Sequence, residues 1–334
     1  MNTNKSAIFL TSALACLSLA PMAQANTLVF SNTNDQAKVV ARTMDLKENE
    51  FPMLRLSPRG LSRIGDLSNN HLSWQSSYTS VVVTAYNTNA ATDGINDQGL
   101  SAHMIAMPRV DYGVRDTSKP ALSNALWVQY VLDNFKTVEE ALASLPQYQL
   151  IHTTVGDKEV HAELALQDAK GDSALIEFVD GNPKIYHGKE LTVLTNQFSP
   201  DIQIKDLSLY KAFGGELPLP GEFDANSRFI RASSNLKALP NPSNAAEAIS
   251  GVDGVIRTAM VPYGHEASPT RWVAIGDLSN QIYYFNTTMT PGVLWVNLKK
   301  LNIKDGTAQI LTLDPKEASM NGDVTKLFKP EKKG

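Results

Sequence analysis

The chain has 334 residues, 43% of them hydrophobic and 19% charged, with a formal net charge of -4. This is the composition of a soluble globular protein, long enough for one large domain or two ordinary ones. The slightly acidic balance, with no basic run interleaved with aromatics, excludes a nucleic-acid surface.

The first 25 residues carry Lys5, an apolar stretch over 7–20 and then Ala23-Gln24-Ala25, with small residues where a signal peptidase needs them. Residues 1–25 are therefore expected to be a removable signal peptide, leaving a protein that is periplasmic or secreted and free of the membrane. As an anchor the apolar run falls short of the ~20 residues that span a bilayer. Lipoprotein processing at Cys16, after Ala13-Leu14-Ala15, lacks the usual leading Leu. Cys16 is the only cysteine. The mature chain is thus expected to have no disulfide, no Cys-based metal site and no Cys nucleophile, which suits an oxidising compartment.

Two short strands, 28–30 and 38–41, flank the turn-forming run Ser31-Asn32-Thr33-Asn34-Asp35. An extended passage over 51–61 ends in a turn at Pro58 to Gly60. The segment 74–86, rich in Val, Thr, Tyr and Ser, reads as a buried strand. A loop and tight turn over 93–100 feed another strand over 100–107. From 119 to 145 the apolar spacing becomes helical, broken near Asn134-Phe135-Lys136, where Thr137 and Glu140 form a capping box. Two helices are expected there. Strands return at 161–166, 173–179, 184–186 and 191–195 as an antiparallel meander. The Pro- and Gly-rich segment 199–226 reads as a long excursion. Helices are expected at 227–236 and 245–260, the second capped by Asn244, then strands at 271–277, 281–286 and 293–297 and a loosely held tail from Pro315. The order implies an α+β fold: an αββα sandwich of two antiparallel sheets in one domain, 26–334.

Several anchors occur in one order along this chain. They are Val40-Ala41-Arg42-Thr43-Met44-Asp45, Pro58-Arg59-Gly60-Leu61, Asp93-Gly94-Ile95-Asn96-Asp97-Gln98-Gly99-Leu100, Gly171-Asp172-Ser173-Ala174-Leu175-Ile176-Glu177, Leu194-Thr195-Asn196, Leu219-Pro220-Gly221 and Ser227-Arg228-Phe229-Ile230-Arg231-Ala232. Together they resemble the choloylglycine hydrolase family, N-terminal-nucleophile hydrolases that include bile salt hydrolases and penicillin V acylases. The Gram-negative penicillin V acylase branch looks closest. The resemblance implies hydrolysis of carbon-nitrogen bonds in linear amides such as acylated β-lactams, N-acyl homoserine lactones or conjugated bile acids. The alternative is a catalytically inactive member, a pseudoenzyme, that binds an amide ligand or a protein partner. It further implies an N-terminal nucleophile whose α-amino group is the base, no cofactor, no metal, and a homotetramer. Carried over by residue, Arg42 and Asp45 would orient the nucleophile and amine, Asn196 would donate to the oxyanion, Arg231 would complete the polar network and Arg228 would stand behind it.

Blander readings exist for each residue. Arg42 with Asp45 could be an ion pair closing the hairpin, Asn196 a turn residue, and Arg228 and Arg231 a solvated helix face. Three departures fall on the site. The family begins Cys-Thr-Arg-Phe-Val-Tyr, whereas an ungapped alignment on Leu28-Val29-Phe30 puts Ala25 at the nucleophile position and the leader's cleavage site puts Asn26 there. Ala106 falls where members place Tyr, Asn or Trp, and Asn196-Gln197-Phe198-Ser199-Pro200 is two residues longer than the family's Asn-Ser-Pro. Further trimming would make Thr27 the alternative nucleophile, its hydroxyl activated by its own amine.

Overall fold

The computed structural model describes residues 25–331 except 69, 108–109, 156–157, 267, 304–305 and 314–319. The leader with Cys16, apart from Ala25, and part of the tail from Pro315 lie outside the described residues.

Two sheets form the body. The first has seven strands, ordered Val193–Thr195, Ala25–Ser31, Val39–Asp45, Thr270–Asp277, Ile282–Thr287, Leu294–Asn297 and Gly322–Asp323. Its pairings are antiparallel except the last. The second has nine, ordered Asn182–His187, Ser173–Val179, Ala162–Asp168, Leu100–Ala106, Ala91–Asn96, Ser80–Thr84, Met53–Ser57, Gln309–Thr312 and Lys329–Pro330. All its pairings are antiparallel.

Successive strand residues face opposite sides of a sheet, so each central strand serves two cores. On Val39–Asp45, Val40 and Met44 join the cluster between the sheets, while Val39 and Ala41 join a cluster with Phe229, Ile230, Val252 and Ile256. The helix residues in that second cluster belong to α4 (Ala225–Lys237) and α5 (Ala245–Arg257), which cover the first sheet. Helices α1 (Trp127–Asn134) and α2 (Val138–Ser144) cover the second through Trp127, Val128, Val131 and Val138. Both sheets thus have helices outside and each other inside, as expected.

Several boundaries differ from the expectation. The segment 74–86 divides into Ser73–Gln75, paired with Ser62–Ile64, and Ser80–Thr84 in the large sheet. Ser76 makes the break, its hydroxyl donating to Pro58 O and accepting from Leu61 N. Asp93-Gly94, read as a turn, lies inside the strand Ala91–Asn96. A Cβ on Gly94 would stand 2.4 Å from Val81 O, so this glycine serves close strand approach rather than a bend. The excursion 199–226 contains a helix, α3 (Pro200–Leu207), started by Pro200 at a position where a missing N–H costs nothing. Thr137 and Asn244 cap α2 and α5 by accepting from Glu140 N and Glu247 N.

Candidate active site

The hairpin register pairs Asn26 with Met44, Thr27 with Thr43 and Leu28 with Arg42. Leu28 and Phe30 lie in the inter-sheet core and Val29 in the helix-side core. By alternation Asn26 and Arg42 belong to the inter-sheet face, and Thr27, Thr43 and Asp45 to the face under α4. Arg42 and Asp45 are therefore not partners, which corrects the reading of an ion pair closing the hairpin.

On the helix side, Arg228 is the hub. It stands in the first turns of α4, where Asp224 caps the helix by accepting from Asn226 N and Ser227 N. Its Nη1 donates to Thr27 Oγ1 at 2.6 Å and to Asp45 Oδ2 at 3.4 Å, and its Nη2 donates to Asn196 Oδ1 at 3.0 Å. Asp45 also accepts from the hydroxyls of Thr270 at 2.6 Å and Thr43 at 3.2 Å. Burial pushes the Asp45 carboxyl up to about 6, against the opposing pull of Arg228, Thr270, Thr43 and Arg42. Asn196 Oδ1 accepts a second bond, from the backbone N–H of Asn26 at 3.3 Å. This bifurcated anchoring fixes the amide plane and leaves Asn196 Nδ2 buried with no hydrogen-bond partner among the described residues.

On the inter-sheet side, Arg42 donates from Nη1 to Thr92 O at 2.8 Å and Asp93 Oδ2 at 3.1 Å, and from Nη2 to Met104 O at 2.5 Å. His103 Nδ1 and Tyr283 Oη each lie 2.6 Å from the Asp93 carboxylate. Burial alone would raise Asp93, but His103, Arg42 and Tyr283 outweigh it and hold the carboxyl below its ordinary range. Arg42 also lies over the Trp272 ring, 5.4 Å from its centroid.

Between the two networks, Asn26, Arg42, Met44, Glu50, Tyr86 and Ala106 help to line an open cavity of about 100 Å³. Asn26 is 2% exposed. Its side-chain amide is a hydrogen-bonding group with no nucleophilic atom. Ala106 contributes only a methyl where the resemblance expects a polar or aromatic side chain.

The two arginines of α4 do not match the expected placement. Arg231 is absent from the network: its Nε donates to Thr258 O and its Nη1 to Pro220 O and Glu222 O. At 1.5 Å of rise per residue, three residues carry it ~4.5 Å past Arg228, to the end of α5 and the 220–222 segment. Arg228, assigned the rear position, holds the centre. The Thr27 hydroxyl is fully buried under Arg228, and the cavity lies across the sheet from it. Among the described residues, no group of three or more His, Cys, Asp or Glu side chains could hold a metal ion.

Glu50 was missed. It ends the polar run Lys47-Glu48-Asn49, which reads as a solvated loop, yet it is 2% exposed. Its Oε1 accepts from Trp272 Nε1 at 2.5 Å, and its Oε2 is buried with no partner among the described residues.

The family model for linear amide C-N hydrolases, choloylglycine hydrolase family, matches residues 27–313. The penicillin V acylase of Pectobacterium atrosepticum is 34% identical over 329 residues, covering 89% of this chain and 87% of that protein. The structure of penicillin V acylase from Agrobacterium tumefaciens superposes with a TM-score of 0.82 at 35% identity, covering 92% of this chain and 98% of that one. A mutant conjugated bile acid hydrolase from Clostridium perfringens gives a TM-score of 0.74 at 20% identity, covering 87% and 97%, and shares the fold.

Proposed function

This chain belongs to the linear amide C-N hydrolases of the choloylglycine hydrolase family, and from that premise we propose that it hydrolyses a small linear amide with water as the nucleophile. The observation that carries the reading is Asn196 Nδ2, a buried donor without a partner beside Asn26. Leaving such a donor unsatisfied costs about 1–3 kcal/mol, which a bound carbonyl oxygen would recover. As charge develops on that oxygen the bond strengthens, so the donor favours the tetrahedral state over the ground state.

In this reading Arg228 and Asp45 position Asn196, and Arg42 with Asp93 fixes one wall of the cavity. The leader is removed after Ala25, placing the α-amine of Asn26 on Asn196 Oδ1, and the protein works in the periplasm or outside the cell. It assembles as a homotetramer, supported by the exposed apolar side chains Phe198, Ile202, Ile204, Leu209, Leu217 and Leu219. Light scattering that returns the mass of one chain would remove the assembly from the account.

A second reading, an amide-binding protein without turnover, is favoured by one observation. Neither Asn26 nor the capped Thr27 offers the cavity a nucleophile. A panel of phenoxyacetyl β-lactam, N-acyl homoserine lactone, glycine-conjugated bile acid and phenylacetyl p-nitroanilide separates the two. Amine release supports hydrolysis; saturable binding of the panel without release supports the second reading.

A further inference from the structure

Glu50 is held where a solvated loop residue has no reason to be. Its carbonyl accepts from Tyr86 N at 2.5 Å. Around that bond Phe51, Tyr86 and Asn87 take left-handed φ values of 51°, 54° and 53°. Bulky aromatic residues rarely occupy that region, and such strain persists where surrounding structure imposes it. The strained segments deliver one carboxyl to the cavity that Asn26 and Arg42 also line. Trp272 binds one of its oxygens, and the other faces no donor among the described residues.

We propose that Glu50 is the general base that activates the attacking water in this cavity, an inference that rests on the hydrolytic reading above. Glu50 Oε2 takes a proton from water as the water oxygen bonds to the amide carbon. The carbonyl electron pair moves onto its oxygen. Collapse of the tetrahedral intermediate breaks the C–N bond, and the proton on Glu50 passes to the departing nitrogen. One water is consumed, one acid and one amine leave, and Glu50 returns ionised.

The surroundings suit this role. Burial raises the Glu50 carboxyl above its ordinary range; its own backbone, the Trp272 indole and the charges of Arg271 and Arg42 pull the other way and do not cancel the rise. A carboxylate made more basic in this way takes a proton near neutral pH better than one in water. Asp45, Tyr86, Glu159 and His161 also border the cavity, and Glu159 pairs with His161 Nε2 at 3.3 Å. Asp45, though, has both oxygens already bonded to Arg228, Thr43 and Thr270.

The test is a pH profile from 4 to 9 for hydrolysis of phenylacetyl p-nitroanilide by the exported protein and by Glu50→Gln. Gln keeps an acceptor for Trp272 Nε1, so the fold should be retained, which a thermal melt checks. The expected result is a fall in kcat of about 10²–10⁴-fold with KM nearly unchanged, and loss of the acid limb. If Glu50→Gln does not fold, Glu50→Asp carries the test: the shorter side chain should lower kcat and shift the acid limb, and an unaltered profile would overturn the proposal. Wild-type turnover matched by Glu50→Gln would also overturn it while leaving the hydrolytic reading intact. No turnover by the wild type would overturn both.

Discussion

Asn26 decides the chemistry available, because its neighbours fix an amide donor beside a residue that has no nucleophilic atom. Replacing it tests whether the frame is aligned for covalent catalysis. Asn26→Cys is expected to give a burst of p-nitroaniline and a phenylacetyl adduct in the intact-mass spectrum. An unmodified mass with no burst would mean that the Asn196 donor and the hairpin start are out of register with a substrate carbonyl. Asp45 makes a separate prediction about stability. Its carboxyl ionises at about 6 in the folded chain against an ordinary 3.8, so the folded state binds the proton more tightly than the unfolded state. The contribution is fully present below pH ~4 and is lost as pH rises to ~6, about 3 kcal/mol at 1.36 kcal/mol per unit. Asp45→Asn cannot ionise and should lack this loss. In denaturant unfolding, the stability of wild type minus that of Asp45→Asn should therefore be lower at pH 7 than at pH 4, and an equal difference at both would contradict the assignment.

At the scale of elements, α4 is the part on which the network depends most, since its first turns place Arg228 against Thr27, Asp45 and Asn196. Asp224 satisfies Asn226 N and Ser227 N at its start. Asp224→Ala should cost about 1 kcal/mol by denaturant unfolding, and no measurable change would mean that another group takes over the cap. The hairpin, the helical pairs and the meander were legible because each follows a clear period or turn signal. Arg42, Asp45 and Asn196 were legible only through the resemblance, and the structure divides them, Asp45 and Asn196 on Arg228 and Arg42 on Asp93. Choosing Arg228 over Arg231 was not legible, because two arginines three residues apart share a helix face and only the strand ends beneath them separate their partners. Glu50 was hidden for another reason. Its burial comes from Trp272 and Tyr86, both distant in the chain, and nothing local in Lys47-Glu48-Asn49-Glu50 signals it. Gly94 misled in the same way: the residue that usually marks a bend here lets two strands approach.

Across the whole molecule, the sandwich separates two tasks by sheet face. The helix side carries a dense bonded cluster around Arg228, and the inter-sheet side carries a small cavity with an Asn, an Arg and a partly bonded Glu on its walls. This member of the family thus keeps a buried amide donor at Asn196 while its first strand offers no thiol. Hydrolysis of phenylacetyl p-nitroanilide by the exported protein in ¹⁸O-labelled water, followed by mass spectrometry of both product and protein, tests that claim most directly. The account predicts p-nitroaniline release, one ¹⁸O in the phenylacetate, and a protein mass that begins at Asn26 and never gains an acyl group. An acylated protein would contradict it, as would a complete absence of product.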